Sequence, residues 1–406
     1  MVRRVQYWAV VMFAVMLPIG QSPTEVALGI GLLAWIVPCI TRCRWPTIPK
    51  TPLNLLLVAW FLIAVCSIYN SIDLGSSLRG LQKLLKYFAL YLLVYQTVDS
   101  QRSLTGVLKG CVVGMALVVG DGLWQAIFGY DLIYHRPPSY ALGGAVERIE
   151  ATFHHPGSLG SHLATFAPLI VTLGLLGSRR WRWPLLGVCG LTTAVVMLGR
   201  SRSGLLAFVC GLVLVAYWLR QWAPLVLAAM TAGVAAITIP PAVKAWAATQ
   251  PTFFYQLAEP DRLAYWQAAI NMVKAHPLIG VGTNTFAKAY PSYRIAGDPF
   301  TDIGPYAHNQ YLHLAAELGW SGVAVFSILL VVVFLAIRRG LAAKASAPVA
   351  AMVSAGLGAG LVGFLIVGLF ESSLFHARGP MRFWFLVGLI MAVDAIRARG
   401  ADGTRG

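Results

Sequence analysis

Apolar stretches recur from one end of the chain to the other, separated by short polar connections. They predict about twelve membrane helices, over residues 7–20, 24–40, 53–69, 84–98, 104–128, 158–176, 185–199, 204–219, 223–239, 311–337, 349–370 and 383–396. Several are shorter than the ~20 apolar residues that cross a bilayer, so the count is set only to within about one hairpin. The first stretch follows Arg3 and Arg4 like a signal peptide, but no small-residue cleavage site precedes Thr24, so it is expected to stay as an anchor. Two connections are long, 129–157 and 240–307, and the second is too rich in Trp, Tyr and Phe for a disordered tether. The expected architecture is one all-α polytopic membrane domain, residues 1–406, with short helices in the larger loop.

Composition agrees with this pattern. The chain is 58% hydrophobic and only 11% charged, against roughly 25% charged residues in soluble domains. Basic residues cluster at alternate short loops: Arg3 and Arg4; Arg42, Arg44 and Lys50; Arg102; Arg179, Arg180 and Arg182; Arg220; Arg338, Arg339 and Lys344; Arg397 and Arg399. The positive-inside rule makes these loops, and both termini, cytoplasmic. The other loops hold nearly all the acids, including Asp73, Asp131, Glu147, Glu150, Glu259, Asp261, Asp298, Asp302 and Glu371. The net charge of +16 thus reflects topology, with no soluble basic surface for nucleic acid. Six cysteines, Cys39, Cys43, Cys66, Cys111, Cys189 and Cys210, fall in spans or on the cytoplasmic side and imply neither a disulfide framework nor a C-x-x-C site.

Positive charge on the outer side works against insertion, so it points to chemistry. Arg79, Lys83 and Lys86 are spaced to share one helical face, either as a binding surface or as lysines and an arginine snorkelling to lipid headgroups. Arg200 and Arg202 sit in GRSRSG between two apolar stretches, where burial costs at least about 2.5 kcal/mol per residue without a partner or a wet cavity. A turn with solvated arginines is the plain alternative to an anion cavity. Arg262 opens DRLAYWQAAINMVKAHP, whose Leu263, Trp266, Ile270 and Val273 form an apolar stripe suited to a membrane surface or cavity rim. Its guanidinium suits either a cation–π contact with Trp266 or a two-pronged grip on phosphate.

A histidine-bearing run, AHNQYLHLAAELGWSG, opens the tenth span. His308 stands at the helix start, and Asn309 and His313 share a face behind it. A metal site is not expected, because H-x-x-x-x-H lacks the i, i+4 spacing of a helical zinc motif.

Together these residues resemble the Wzy_C superfamily of bacterial glycan ligases and polymerases, and most of all its O-antigen ligase branch. The resemblance runs from about Arg148 to Gly322. Its most specific element is His308-Asn309 followed, after nine residues, by Gly319 and then Gly322, similar to H-[NSQ]-x9-G-x-x-G. RIEATFHHPGSLG before the sixth span, SRSG at Ser201 to Gly204, DR-x-x-x-W at Asp261 to Trp266 and HPLIGVGTNTF from His276 to Phe286 support it in order and topology.

The resemblance implies a GT-C-like, metal-independent, inverting glycosyltransferase of the bacterial inner membrane. It would move a glycan from undecaprenyl pyrophosphate to lipid A-core at the periplasmic face, without a cofactor. Arg202, Arg262 and His308 match the family's essential residues, as anion-stabilising groups and general base. Arg200, Arg79, Lys83, Lys86, Arg148, Asn309 and His313 are added as substrate-binding candidates, the last two orienting the base or lining the acceptor path. Related enzymes polymerise O-antigen or glycosylate protein side chains, and the end of the chain about ten residues after the last span favours the lipid A-core ligase. The rival from another class is a lipid-linked glycan transporter, disfavoured because the basic groups lie towards one face.

Overall fold

The computed structural model describes residues 2–41, 48–142, 146–176, 179–238, 260–295, 306–376 and 378–402. Every predicted apolar segment lies on a helix: α1 (Val2–Met16), α2 (Gln21–Thr41), α3 (Asn54–Ser67), α4 (Leu74–Thr97), α5 (Gln101–Phe128), α6 (Pro156–Leu176), α7 (Arg179–Gly199), α8 (Arg202–Leu219) and α9 (Ala223–Thr238). Two helices of the large loop follow, α10 (Pro260–Ala275) and α11 (Phe286–Tyr293), then α12 (Gln310–Ala342), α13 (Pro348–Val367) and α14 (Gly379–Asp402).

Among the described residues seven helices are long and apolar enough to cross a membrane, namely α5 to α8 and α12 to α14, so the chain is a multi-pass membrane protein. The α4 helix begins ten residues before the predicted span, because SSLRGLQKLLK continues as a helical turn pattern ahead of the apolar run. The architecture is all-helical, as expected, apart from one small element. A short antiparallel hairpin, β1 (Tyr140–Leu142) and β2 (Val146–Arg148), interrupts the loop between α5 and α6.

The centre of the bundle is α6 packed on α13, with α14 beside them; the apolar windows of α6 and α14 are each 83% buried, against 28% for α7. Such close approach needs small residues. A side chain at Gly360 would sit 2.0 Å from the Thr165 carbonyl oxygen, so only glycine lets α13 touch α6 there.

The described part of the large loop is folded. Tyr265, Ala268, Ala269 and Met272 of α10 pack with Phe286, Ala289 and Tyr290 of α11 into a second small core against the start of α12. The buried face of α10 is therefore one position away from the predicted stripe, whose Leu263, Trp266 and Val273 are half-buried and Ile270 exposed. An apolar face left outside a local core is what a helix on a membrane surface or cavity rim requires.

The α12 helix breaks at Gly319, where φ is 64° and ψ −170°, a conformation essentially confined to glycine. The irregular 277–282 segment docks in this break: Trp320 N donates to Pro277 O at 2.8 Å, Val281 N to Ala316 O at 2.9 Å and Gly282 N to Glu317 O at 3.2 Å. The break thus holds the loop helices over the start of α12.

Candidate active site

Three elements bring charged groups to one point. Asn309 caps α12, its Oδ1 accepting from the Tyr311 and Leu312 amides at 3.0 Å each, as an N-cap asparagine does. Its amide Nδ2 donates to Leu369 O at 3.1 Å, tying the helix start to the α13–α14 connection. His308 is thereby held just ahead of the helix with a left-handed backbone, φ 48°. The α10 helix supplies Arg262 and, three residues on, Tyr265, whose ring stacks on His308 at 5.9 Å between centroids.

Glu371, in the α13–α14 connection, joins these groups. Its Oε1 lies 3.5 Å from Arg262 Nη2 and its Oε2 3.4 Å from His308 Nδ1. Arg262 Nη1 also donates to Phe370 O at 2.8 Å, so the guanidinium is gripped by two successive residues. Burial alone would raise the Glu371 pKa, but the hydrogen bond from His308 and the charges of Arg262, His308 and His155 hold it below its ordinary value. An ionised Glu371 can only accept, which makes His308 Nδ1 the donor. The opposite ring nitrogen, Nε2, is then the one with a lone pair to offer.

The first turn of α6 lies against the same carboxylate. A side chain at Gly157 would come within 3.1 Å of Glu371 Oε1 and 2.9 Å of the His155 ring. His155 has its pKa lowered by burial first, and it is within electrostatic reach of Glu371, Arg148, His308 and Arg262. One turn further along α6, Gly160 abuts Ser201, with 3.0 Å between its would-be Cβ and the Ser201 Cβ. Ser201 caps α8 by accepting from Gly204 N at 3.2 Å, which puts Arg202 at the first position of that helix with an exposed side chain.

Arg148 is engaged with the protein's own backbone. Its Nε and Nη2 donate to Gly199 O and Arg200 O, both at 3.2 Å, closing the turn between α7 and α8. Arg200 takes the left-handed conformation in that turn, φ 50°, and its Nη1 is buried with no hydrogen-bond partner among the described residues.

The remaining sequence candidates lie elsewhere. His313 is 2% exposed, clamped between the rings of Phe286 and Phe375 at 4.6 and 4.0 Å. Its Nδ1 accepts from Ala307 N at 3.2 Å, which fixes the proton on Nε2, 3.3 Å from Glu317 Oε1. Glu317 in turn accepts from Asn284 N and Phe286 N at 2.7 and 3.0 Å. His313 therefore braces the loop beneath the site. Arg79, Lys83 and Lys86 part company along α4: Arg79 bonds Ser76 Oγ at 3.0 Å, Lys83 bonds Asn284 Oδ1 at 3.0 Å and Lys86 pairs with Glu25 at 2.7 Å.

Glu371 and His155 are the residues that the sequence pattern did not single out. Glu371 follows an apolar run on the outer side, and His155 stands inside RIEATFHHPGSLG; an acid and a histidine in such places were the available signals. The outer acids Glu259, Asp298 and Asp302 fall outside the described residues, as does the rest of 239–259. Among the described residues no group of three His, Cys, Asp or Glu side chains gathers as a metal site would.

No curated protein matches the chain. A family model does, over a stretch that contains Arg200, Arg202, Arg262 and His308 and stops short of Glu371: residues 187–327 match the model of the O-antigen ligase family, Wzy_C.

Proposed function

We propose that this protein is an O-antigen ligase, an inverting glycosyltransferase acting at the periplasmic face of the bacterial inner membrane. It transfers a glycan from undecaprenyl pyrophosphate to a hydroxyl of lipid A-core. The observation that carries this reading is the convergence of Arg262, Glu371 and His308 at the start of α12, in a chain whose residues 187–327 match the ligase family model.

In this proposal the acceptor hydroxyl attacks the anomeric carbon of the donor glycan. The bond from that carbon to the pyrophosphate oxygen breaks as the new glycosidic bond forms, and the hydroxyl proton passes to His308 Nε2. Glu371 holds His308 in the tautomer that presents Nε2 and stabilises the imidazolium that results, as carboxylate partners do for catalytic histidines. The departing pyrophosphate gathers negative charge, for which guanidinium groups serve without a metal ion. Arg262 and Arg202 supply them, with Arg200 beside the same turn.

Glu371 gives Arg262 a second task. With the site empty of donor, the carboxylate satisfies the guanidinium; on donor binding, pyrophosphate competes for it. His155 completes the ring of positive potential near Glu371 when protonated and lines it as a neutral imidazole otherwise.

Reconstituted protein tests the reading. Liposomes holding the purified protein, undecaprenyl-pyrophosphate glycan and lipid A-core are expected to yield banded glycolipid in the presence of EDTA. Donor that crosses the bilayer with no product formed would favour the transporter, and activity restored only by Mg²⁺ or Mn²⁺ would overturn the arginine-centred chemistry. Polymerised glycan with unmodified lipid A-core would assign the chain to the polymerase branch.

A further inference from the structure

A small cavity of about 50 Å³ lies on the far side of Glu371, between the first turns of α6 and α14. It is well above the ~10–15 Å³ that admits a single water. Two arginines one helical turn apart line it, Arg378 and Arg382, only 8% and 5% exposed. Arg378 donates to the carbonyls of Leu17, Pro18 and Thr152 at 3.2, 2.5 and 2.7 Å and lies over the Phe153 ring. Arg382 lies over the Phe364 ring, and its Nε has no hydrogen-bond partner.

Among the described residues neither arginine forms an ion pair. Carbonyls satisfy donors but leave the charge standing, and a buried charge without a counter-charge is strongly unfavourable. The nearest acid on the cavity wall is Glu371, whose two oxygens are directed to Arg262 and His308. Two further polar atoms on the same wall, Ser161 Oγ and Ser372 Oγ, are also buried without a partner. Water would satisfy these donors and leave two charges unbalanced. A small anion satisfies the donors and offsets one of the two charges.

We propose that this cavity holds one inorganic monoanion of halide size, bound by the Arg382 guanidinium and the Ser161 and Ser372 hydroxyls. The ion joins α14 to α6. It also keeps Glu371 turned towards Arg262 and His308, because an anion behind the carboxylate removes the attraction of the two buried arginines. Binding of the ion does not depend on the glycan chemistry and is tested without it.

The test uses full-length protein in detergent, with chloride replaced stepwise by gluconate, which is too large for the cavity, at constant ionic strength. The melting temperature is expected to rise with chloride and saturate. A Ser161→Ala, Ser372→Ala double variant is expected to need about tenfold more chloride to reach half the rise. Crystals grown in bromide are expected to show an anomalous peak between Arg382 and Ser161. A melting temperature indifferent to chloride, a midpoint unchanged in the double variant, or a cavity without the bromide peak would each overturn the proposal. The serine variants avoid relying on Arg382→Met, which also removes the packing of the guanidinium over Phe364.

Discussion

His308 Nδ1 and Glu371 Oε2 stand 3.4 Å apart, across 63 residues of sequence, with Arg262 on the other carboxylate oxygen at 3.5 Å. One half-buried carboxylate thus sets both the tautomer of the expected base and the position of the expected phosphate-binding arginine. Glu371→Gln keeps the size and removes the charge. It is expected to slow transfer by roughly 10- to 100-fold, the scale of losing a charge-assisted hydrogen bond worth about 1.5–3 kcal/mol. Initial rates at saturating donor, with insertion checked by membrane fractionation, measure it. An unchanged rate would reduce Glu371 to packing.

Arg262→Ala is expected to lower transfer by about 10²- to 10³-fold, the cost of one lost electrostatic donor of about 2–4 kcal/mol. Arg262→Lys should recover little, since an ammonium cannot reach Phe370 O and Glu371 together as the guanidinium does. Near-normal transfer by Arg262→Ala would leave Arg262 as a brace for the α13–α14 connection.

His313→Ala is expected to act on stability. The ring fills the gap between Phe286 and Phe375 and satisfies Ala307 N and Glu317. Its loss should cost about 2–4 kcal/mol, by cavity and unpaired polar groups together. Thermal melting in detergent checks this, and transfer per folded molecule should stay near the wild-type rate. A fall in rate with normal melting would restore His313 to the acceptor path.

Much of this arrangement is legible in the sequence. The apolar segments all become helices, the SRSG turn caps α8, and His308-Asn309 marks the start of α12. The Gly319 of the family-like spacing has a plain cause in its positive φ and in the docking of residues 277–282 against it. What periodicity could not show is pairing between distant segments. Glu371 reads as one outer acid among several until the fold brings it to Arg262 and His308. Arg148 reads as a ligand-binding arginine, yet two backbone carbonyls of the α7–α8 turn take up its donors. The α4 cations share a helical face, and separate partners on α2 and near α11 divide them.

Acid should loosen the site in two stages. Burial lowers the His155 pKa from its ordinary 6.5, so the unfolded chain takes up a proton there before the folded one does. Stability is then complete above pH 6.5 and falls as pH drops towards the folded value. Glu371 is also held below its ordinary 4.5, and its contribution is lost as pH falls through that lower range. Melting temperatures from pH 8 to 4 should decline below 6.5, and His155→Gln should flatten the first stage. A curve that keeps the same slope in His155→Gln would place the titrating group elsewhere.

The central claim is that Glu371 and His308 act as one unit in proton removal. The direct measurement is a double-mutant cycle of transfer rates in reconstituted protein, with His308→Ala, Glu371→Gln and the two combined, across the acidic limb of the pH–rate profile. His308→Ala alone is expected to lose about 10²- to 10⁴-fold and the acidic limb with it. The combined variant is predicted to lose clearly less than the product of the two single losses, because Glu371 has no base left to orient and only its hold on Arg262 remains to be lost. Losses that multiply in the combined variant, or an acidic limb that survives His308→Ala, would contradict the account.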